Sequence, residues 1–392
     1  MGGVALALLA IGIRMKDIFR LVRCGGFFFV VSCLFTSTNP LHAQWIQTNG
    51  PYGGGVISFA VSGTNLFAGT FGGGVFLSTN NGTSWIPAST GLTNTDVRTL
   101  AVSPNGTGGT NLFAGTGDYE GFGGGVFLST NNGTSWSAVN NGFPKNSNDT
   151  TFYASVNSFA LSGTNLFAGT LGSGVFLSTN NGTSWTAAST GLTNTTVLAL
   201  AVSGTNLFAG TLGSGVFLST NNGTSWTAVN TGLTNTRVRA LAISPNGTGG
   251  TNLFAGTEGG GVFLSTNNGT SWTAASAGLT NKEVRALAVS GTNLFAGTFG
   301  GVFLSTNNGS SWTATSTGLT STEVRALAVF GMNLFAGTSG GVFHSTDNGT
   351  SWTAASTGLP SAYPSTIVRA LAVSGTNLFA GTHGGGVWRR PL

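Results

Sequence analysis

The chain has 392 residues, of which only 6% are charged while 65 are glycine. Phe, Leu, Val and Trp recur at fixed places along it, which excludes a disordered chain. The basic pI of about 9.7 belongs partly to the first segment, because residues 44–392 carry ten Lys plus Arg against eight Asp plus Glu, with no Lys-rich run; that balance excludes the concentrated basic stripe a nucleic-acid partner needs.

Residues 1–43 read as a secretory signal peptide. Arg14, Lys16, Arg20 and Arg23 precede an apolar run from Phe27 to Phe35, and Leu41-His42-Ala43 suits cleavage before Gln44. Met15 is an alternative start. The apolar run is shorter than the roughly 20 residues of a membrane span, so no membrane insertion is expected after cleavage. Val30-Val31-Ser32-Cys33 has the form of a lipobox, and on that second reading Cys33 carries a lipid anchor. Both cysteines, Cys24 and Cys33, lie in this leader, so residues 44–392 hold no disulfide or thiol chemistry. The expected location is secreted, periplasmic or on the surface of a bacterium.

After the leader one phrase, G-V-F-L-S-T-N-N-G-T-S-W, returns seven times with minor changes. Its Trp residues, Trp85, Trp136, Trp185, Trp226, Trp272, Trp312 and Trp352, are spaced by 51, 49, 41, 46, 40 and 40. A period of about 40–50 holding several short strands marks a β-propeller. In the unit 197–233, Val197–Val202 is an apolar first strand and Asn206–Thr211 a second. Gly215–Ser219 is a third, and Trp226–Val229 is the outer strand. Asn221-Asn222-Gly223 is a tight turn, since Asn and Gly tolerate positive φ.

First-strand segments begin near Val56, Val97, Val156, Val197, Val238, Val284, Val324 and Val368. The last unit ends without an outer strand, and Gln44-Trp45-Ile46-Gln47 matches the missing piece. The expected fold is therefore all-β: a single propeller over 44–392, of eight four-stranded blades, with the N-terminal strand closing the last. Seven blades, with an unclosed partial unit, is the rival count.

The third-strand and turn segment resembles the Asp-box, S-x-D-x-G-x-x-W, of bacterial-neuraminidase-repeat propellers, a family that includes sialidase-like and photosystem II assembly-factor-like members. Only Asp347 keeps the acid. Asn80, Asn131, Asn180, Asn221, Asn267 and Asn307 replace it in the other copies. The resemblance implies structural hairpins, with Asp or Asn bonding the turn backbone and the Trp wedged between strands. It implies a sialidase-like glycoside hydrolase as one activity, and a protein-binding platform as another.

Departures from the repeat point to one face. Loops between second and third strands, and loops between blades, open on the same side and hold most of the charged residues and all four Tyr (Tyr52, Tyr119, Tyr153, Tyr363). Arg98, Arg239, Arg285, Arg325 and Arg369 occupy the second position of first strands, so they should surround the central channel. Converging guanidiniums suit carboxylate or phosphate. The competing reading is a salt-bridged rim, because Asp96, Glu283 and Glu323 sit two residues before Arg98, Arg285 and Arg325.

A variable position after each Ala-Gly-Thr (Phe71, Leu171, Leu212, Glu258, Phe299, Ser339, His383) adds a mixed ring, and blade 2 inserts Gly117–Phe122 there, with Tyr119. The longer loops 143–155 and 360–367 lie on the same face. Asp118 and Glu120 fall short of the six to eight oxygens Ca²⁺ takes, and no cofactor or metal is expected. The candidate ligand residues are thus Arg98, Arg239, Arg285, Arg325, Arg369, Tyr119, Glu258 and His383. The Arg recur at one repeated position instead of forming an individually placed triad, which favours a monomeric, non-catalytic binding module for an unidentified protein, peptide or glycan over a glycosidase.

Overall fold

The computed structural model describes residues 44–51, 53–105, 109–146, 148–246 and 250–392. The leader lies outside them, as does Tyr52. The described chain forms eight four-stranded antiparallel sheets. Each runs first, second, third, outer strand from hub to rim. The first strands of blades 1 to 8 are Gly55–Ser62, Val97–Pro104, Val156–Ser162, Val197–Ser203, Val238–Pro245, Val284–Ser290, Val324–Phe330 and Val368–Ser374. Each touches the first strand of the next blade, and blade 8 touches blade 1, so the ring is closed. The eight-bladed count holds.

Closure works as the sequence predicts. Ile46–Gln47 pairs with Val387–Pro391 of blade 8, Ile46 opposite Arg389 and Gln47 opposite Trp388. Trp45 joins Phe335, Val368 and Trp388 in one buried cluster. A ring closed by its own N-terminal strand leaves no long sheet edge to recruit another chain. The outer strands are shorter than expected: in the unit 197–233 only Thr227–Ala228 is strand, with both residues exposed. Two-residue edges are poor templates for association.

The core lies between blades. The second strand, Asn-Leu-Phe-Ala-Gly-Thr, is buried on both faces, as a strand packed between two sheets must be. Phe208 and Val216 of blade 4 meet Val238, Leu253, Phe263 and Trp272 of blade 5, and this arrangement recurs round the ring. The Trp side chains do more than wedge within their own hairpins. Trp136, Trp226, Trp272 and Trp312 each donate Nε1–H to the carbonyl just past the outer strand of the preceding blade, at 2.6 Å. Trp45 and Trp352 donate likewise, to Ala355 and Thr315.

The repeated hairpins are self-capped. Asn307 Oδ1 accepts from Ser305 Oγ (2.9 Å) and from the Ser311 amide (2.9 Å), while its Nδ2 donates to Ser311 Oγ (2.8 Å). The next residue in each of the seven turns is an Asn with φ of 53–55°, a region Asn visits at low cost. At Asp347 the geometry is kept and one donor reverses: Ser351 Oγ donates to Asp347 Oδ2 at 2.6 Å. The hydroxyl and amide of Ser351, then Ser345, hold the Asp347 carboxyl down at about 2. A carboxyl depressed on folding adds stability above its unfolded value of about 3.9 and loses it as pH falls through the folded one. Asp347→Asn should therefore flatten the fall of the thermal midpoint between about pH 4 and pH 2. An unchanged slope would show that this hairpin frays before it titrates.

Candidate functional site

In all eight blades the ladder between first and second strands slips at the same place. Val238 pairs with Thr257 and Ala240 with Gly256, so Arg239 is an extra residue, and Val284–Ala286, Val324–Ala326 and Val368–Ala370 repeat the pattern around Arg285, Arg325 and Arg369. A β-bulge re-aims the side chain of its extra residue. The eight bulged residues, Ile57, Arg98, Asn157, Leu198, Arg239, Arg285, Arg325 and Arg369, together line one cavity of about 320 Å³ at the channel mouth, joined by Tyr119. Four adjacent blades, 5 to 8, present Arg. Three of the other four present Ile, Asn and Leu.

The loops around the mouth are pinned at their base. The buried Thr that ends each second strand bonds across its loop, as Thr257 Oγ1 does to the Gly261 carbonyl (2.8 Å) and Thr382 Oγ1 to that of Gly386 (3.0 Å). The blade 2 insertion is braced further. Asp118 Oδ1 accepts from the amides of Glu120 (2.9 Å) and Phe122 (2.8 Å), and Asn146 Nδ2 donates to the Gly121 carbonyl (2.6 Å). Phe122–Gly123 also pairs with Tyr153–Ala154 in a small extra sheet that the sequence does not announce.

The five Arg differ in what they already hold. Arg98 lies over the Tyr119 ring, 4.4 Å from its centroid. Burial lowers the pKa of Arg98, against the opposing pull of Tyr119, Asp118 and Asp96. Arg239 grips Glu258 Oε2 through Nη2 (2.6 Å) and Nε (2.7 Å). Arg325 pairs with Glu323 (2.5 Å), whose other oxygen accepts from Ser339. Burial alone would raise Glu258, but the hydrogen bond and charge of Arg239, helped by Arg237 and Arg285, hold it below its ordinary value. Of the expected pairs two residues apart, Glu323–Arg325 is in ion-pair contact among the described residues. The pair Arg239–Glu258 crosses the sheet instead.

Arg285 and Arg369 are left over. The Nε of each is buried with no hydrogen-bond partner. Arg285 stacks on Phe299 (4.5 Å to the centroid), and burial, then the charges of Arg239 and Arg325, lower its pKa. His383 lines a side pocket with Arg369, and burial plus the Arg369 and Arg325 charges push its pKa down. All eight candidate residues thus lie at or beside one opening. Tyr363, 81% exposed, does not line it.

Residues 247–378 match the model of the DUF6242 beta propeller domain. No curated protein matches the chain by sequence. Among solved structures, Saccharomyces cerevisiae Sqt1 superposes with a TM-score of 0.65 at 12% identity, over 89% of this chain and 99% of that one. YCF48 bound to D1 peptide gives 0.52 at 14%, over 89% and 96%. The GH74 xyloglucanase from Xanthomonas campestris gives 0.54 at 19%, over 86% of this chain and 59% of that enzyme. Likeness at such identities carries the fold and no activity. The closed ring of eight sheets, the family model over 247–378 and these neighbours agree that the chain is a β-propeller.

Proposed function

We propose that this propeller is an exported, non-catalytic binding module that takes an anionic group of a protein, peptide or glycan at its channel mouth, and that its repeated hairpins are Asn-substituted Asp-boxes. The observation that carries the reading is the convergence of eight equivalent bulged residues on one cavity, with Arg285 and Arg369 lacking partners for their buried Nε atoms. Desolvated guanidinium edges favour a bidentate anion. Glu258 and Glu323 are engaged by Arg239 and Arg325, which screens those two Arg and leaves the Nε atoms of Arg285 and Arg369 to a ligand. That a propeller of similar fold is bound to a peptide supports a ring of this kind as a platform.

A glycosidase needs one carboxyl raised to act as acid. Burial raises Asp96 beside Arg98, while Arg239 holds Glu258 down, so the carboxyls of the mouth do not separate the two readings and turnover must. The test is a glycan array with sialylated, sulfated and neutral members, run beside acidic and neutral peptides. Selective retention of anionic members is expected. Arg285→Ala with Arg369→Ala should weaken it by about 10- to 100-fold, since a charged hydrogen bond contributes about 1.5–3 kcal/mol. Unchanged retention in the double variant would remove these Arg from the account, and turnover of an aryl-glycoside or fluorogenic sialoside would replace the binding reading with the enzyme.

A further inference from the structure

The channel mouth is two-sided in chemistry as well as in charge. Beside Arg369 a second pocket of about 80 Å³ is lined by Ile57, Phe71, Tyr119, Arg369 and His383, and it shares Ile57, Tyr119 and Arg369 with the main cavity. Phe71 is 40% and Tyr119 67% exposed, with ring centroids 6.4 Å apart. Neither ring belongs to an inter-blade core cluster. Phe71 sits at the loop position where blade 7 has Ser339, and Tyr119 is delivered by the braced insertion of blade 2. An exposed apolar wall on a pre-ordered support, facing a guanidinium with a partnerless Nε, has the form of a built subsite.

From this geometry we infer that the mouth recognises a carboxylate that carries a short branched apolar group: the carboxylate on Arg369 and the apolar group against Ile57, Phe71 and Tyr119. The inference rests on the anion-binding reading above and narrows it. The volume sets the size of the apolar part. At about 80 Å³ the side pocket is about half the roughly 150 Å³ apolar cavity that takes benzene, which suits an isobutyl group better than a bicyclic ring. Arg98 is already stacked on Tyr119 and sits among Asp96 and Asp118, which leaves Arg369 as the cation of this subsite. Such a ligand exists both as a free acid and as the C-terminal residue of a peptide.

The experiment is calorimetric titration of the whole protein with N-acetylleucine, N-acetylglycine, N-acetyl-leucinamide, isovalerate and inorganic sulfate. N-acetylleucine should bind at least tenfold tighter than N-acetylglycine, which lacks the apolar group, and than N-acetyl-leucinamide, which lacks the carboxylate. Phe71→Ser, the residue blade 7 itself uses, should bring N-acetylleucine down to the N-acetylglycine level and leave the latter unchanged. Arg369→Ala should remove both. Isovalerate matching N-acetylleucine supports the free acid as natural ligand, and isovalerate tenfold weaker supports the chain terminus. Equal binding of N-acetylleucine and N-acetylglycine overturns the inference. Arg-dependent sulfate binding with no acid bound also overturns it and leaves the anion reading standing. Silence from every probe, sulfate included, overturns both.

Discussion

Trp272→Ala should destabilise the ring by about 3–5 kcal/mol, the usual range for emptying a large aromatic site. The side chain is 3% exposed and packs with residues of blades 4 and 5. Its Nε1 donates to the Val229 carbonyl of the preceding blade at 2.6 Å, so truncation opens a cavity and strands a part-buried acceptor. Trp272→Phe separates the two effects: most of the ring volume stays, and the lost hydrogen bond with its orphaned carbonyl should cost about 1–3 kcal/mol.

The same change at Trp85 should cost distinctly less. The acceptor is always the residue three positions after the preceding blade's Trp: Ala88 for Trp136, Ala188 for Trp226, Val229 for Trp272, Ala275 for Trp312. At the seam between blades 8 and 1 that residue is Thr48, just past the closing strand, and Trp85 Nε1 is buried with no partner. The backbone link from the Trp85 amide to the Asn49 carbonyl, at 3.0 Å, is kept, and the Asn49 amide and Arg389 add bonds to the Thr83 carbonyl (3.4 Å) and the Asn81 carbonyl (3.2 Å), none of which satisfies the indole. Denaturant midpoints of the two Phe variants decide the matter. Equal losses would mean that the ring relaxes to satisfy Trp85, and that the seam is no weaker than its neighbours.

What the sequence discloses and what it hides divide along a physical line. Strand identity, blade count and closure by Gln44–Gln47 follow from local pattern, because the units state their turns with Asn-Asn-Gly or, once, Asp-Asn-Gly and their buried strands with apolar runs. The common position of Arg98, Arg239, Arg285, Arg325 and Arg369 is legible for the same reason: equivalent residues of a cyclic repeat must face one axis. The bulge that turns them into the cavity is not, since no residue type marks it; Ile57, Asn157 and Leu198 occupy it as readily as Arg. Pairing is hidden too. Spacing finds Glu323 for Arg325, in contact at 2.5 Å, but it also nominates Glu283 for Arg285 and Asp96 for Arg98, and it misses the two-point contact from Arg239 to Glu258 across the hairpin, 19 residues away. Tyr119 comes to lie over Arg98 only because the insertion is braced by Asp118 and Asn146, contacts that fold before they can be read.

Gly256→Ala should cost about 1–3 kcal/mol, and Gly256→Val more, through overpacking alone. The Gly of the Ala-Gly-Thr phrase is the least obvious constant of the repeat, for it needs no positive φ. A Cβ built on Gly256 would stand 2.7 Å from Val284 Cγ1 and 3.4 Å from Leu287 Cδ1, both on the first strand of the next blade. The same contact falls between Gly297 and Val324, Gly337 and Val368, and Gly381 and Val56, at 2.7, 2.7 and 2.5 Å. Glycine is thus the spacer that lets neighbouring blades approach. Eight such spacers set the pitch at which eight sheets meet round one axis, so a side chain here pushes blades apart and widens the cavity at the mouth. Gly204→Ala is the control: nothing lies within 4 Å, and only its φ of 59° resists a side chain, at about 1–2 kcal/mol, with no rescue expected from Val284→Ala. Val284→Ala should rescue Gly256→Ala in part, because it removes the methyl groups that the new Cβ strikes. A double-mutant cycle without that rescue would show that the glycine serves strand pairing within its own blade, and that blade spacing is set elsewhere.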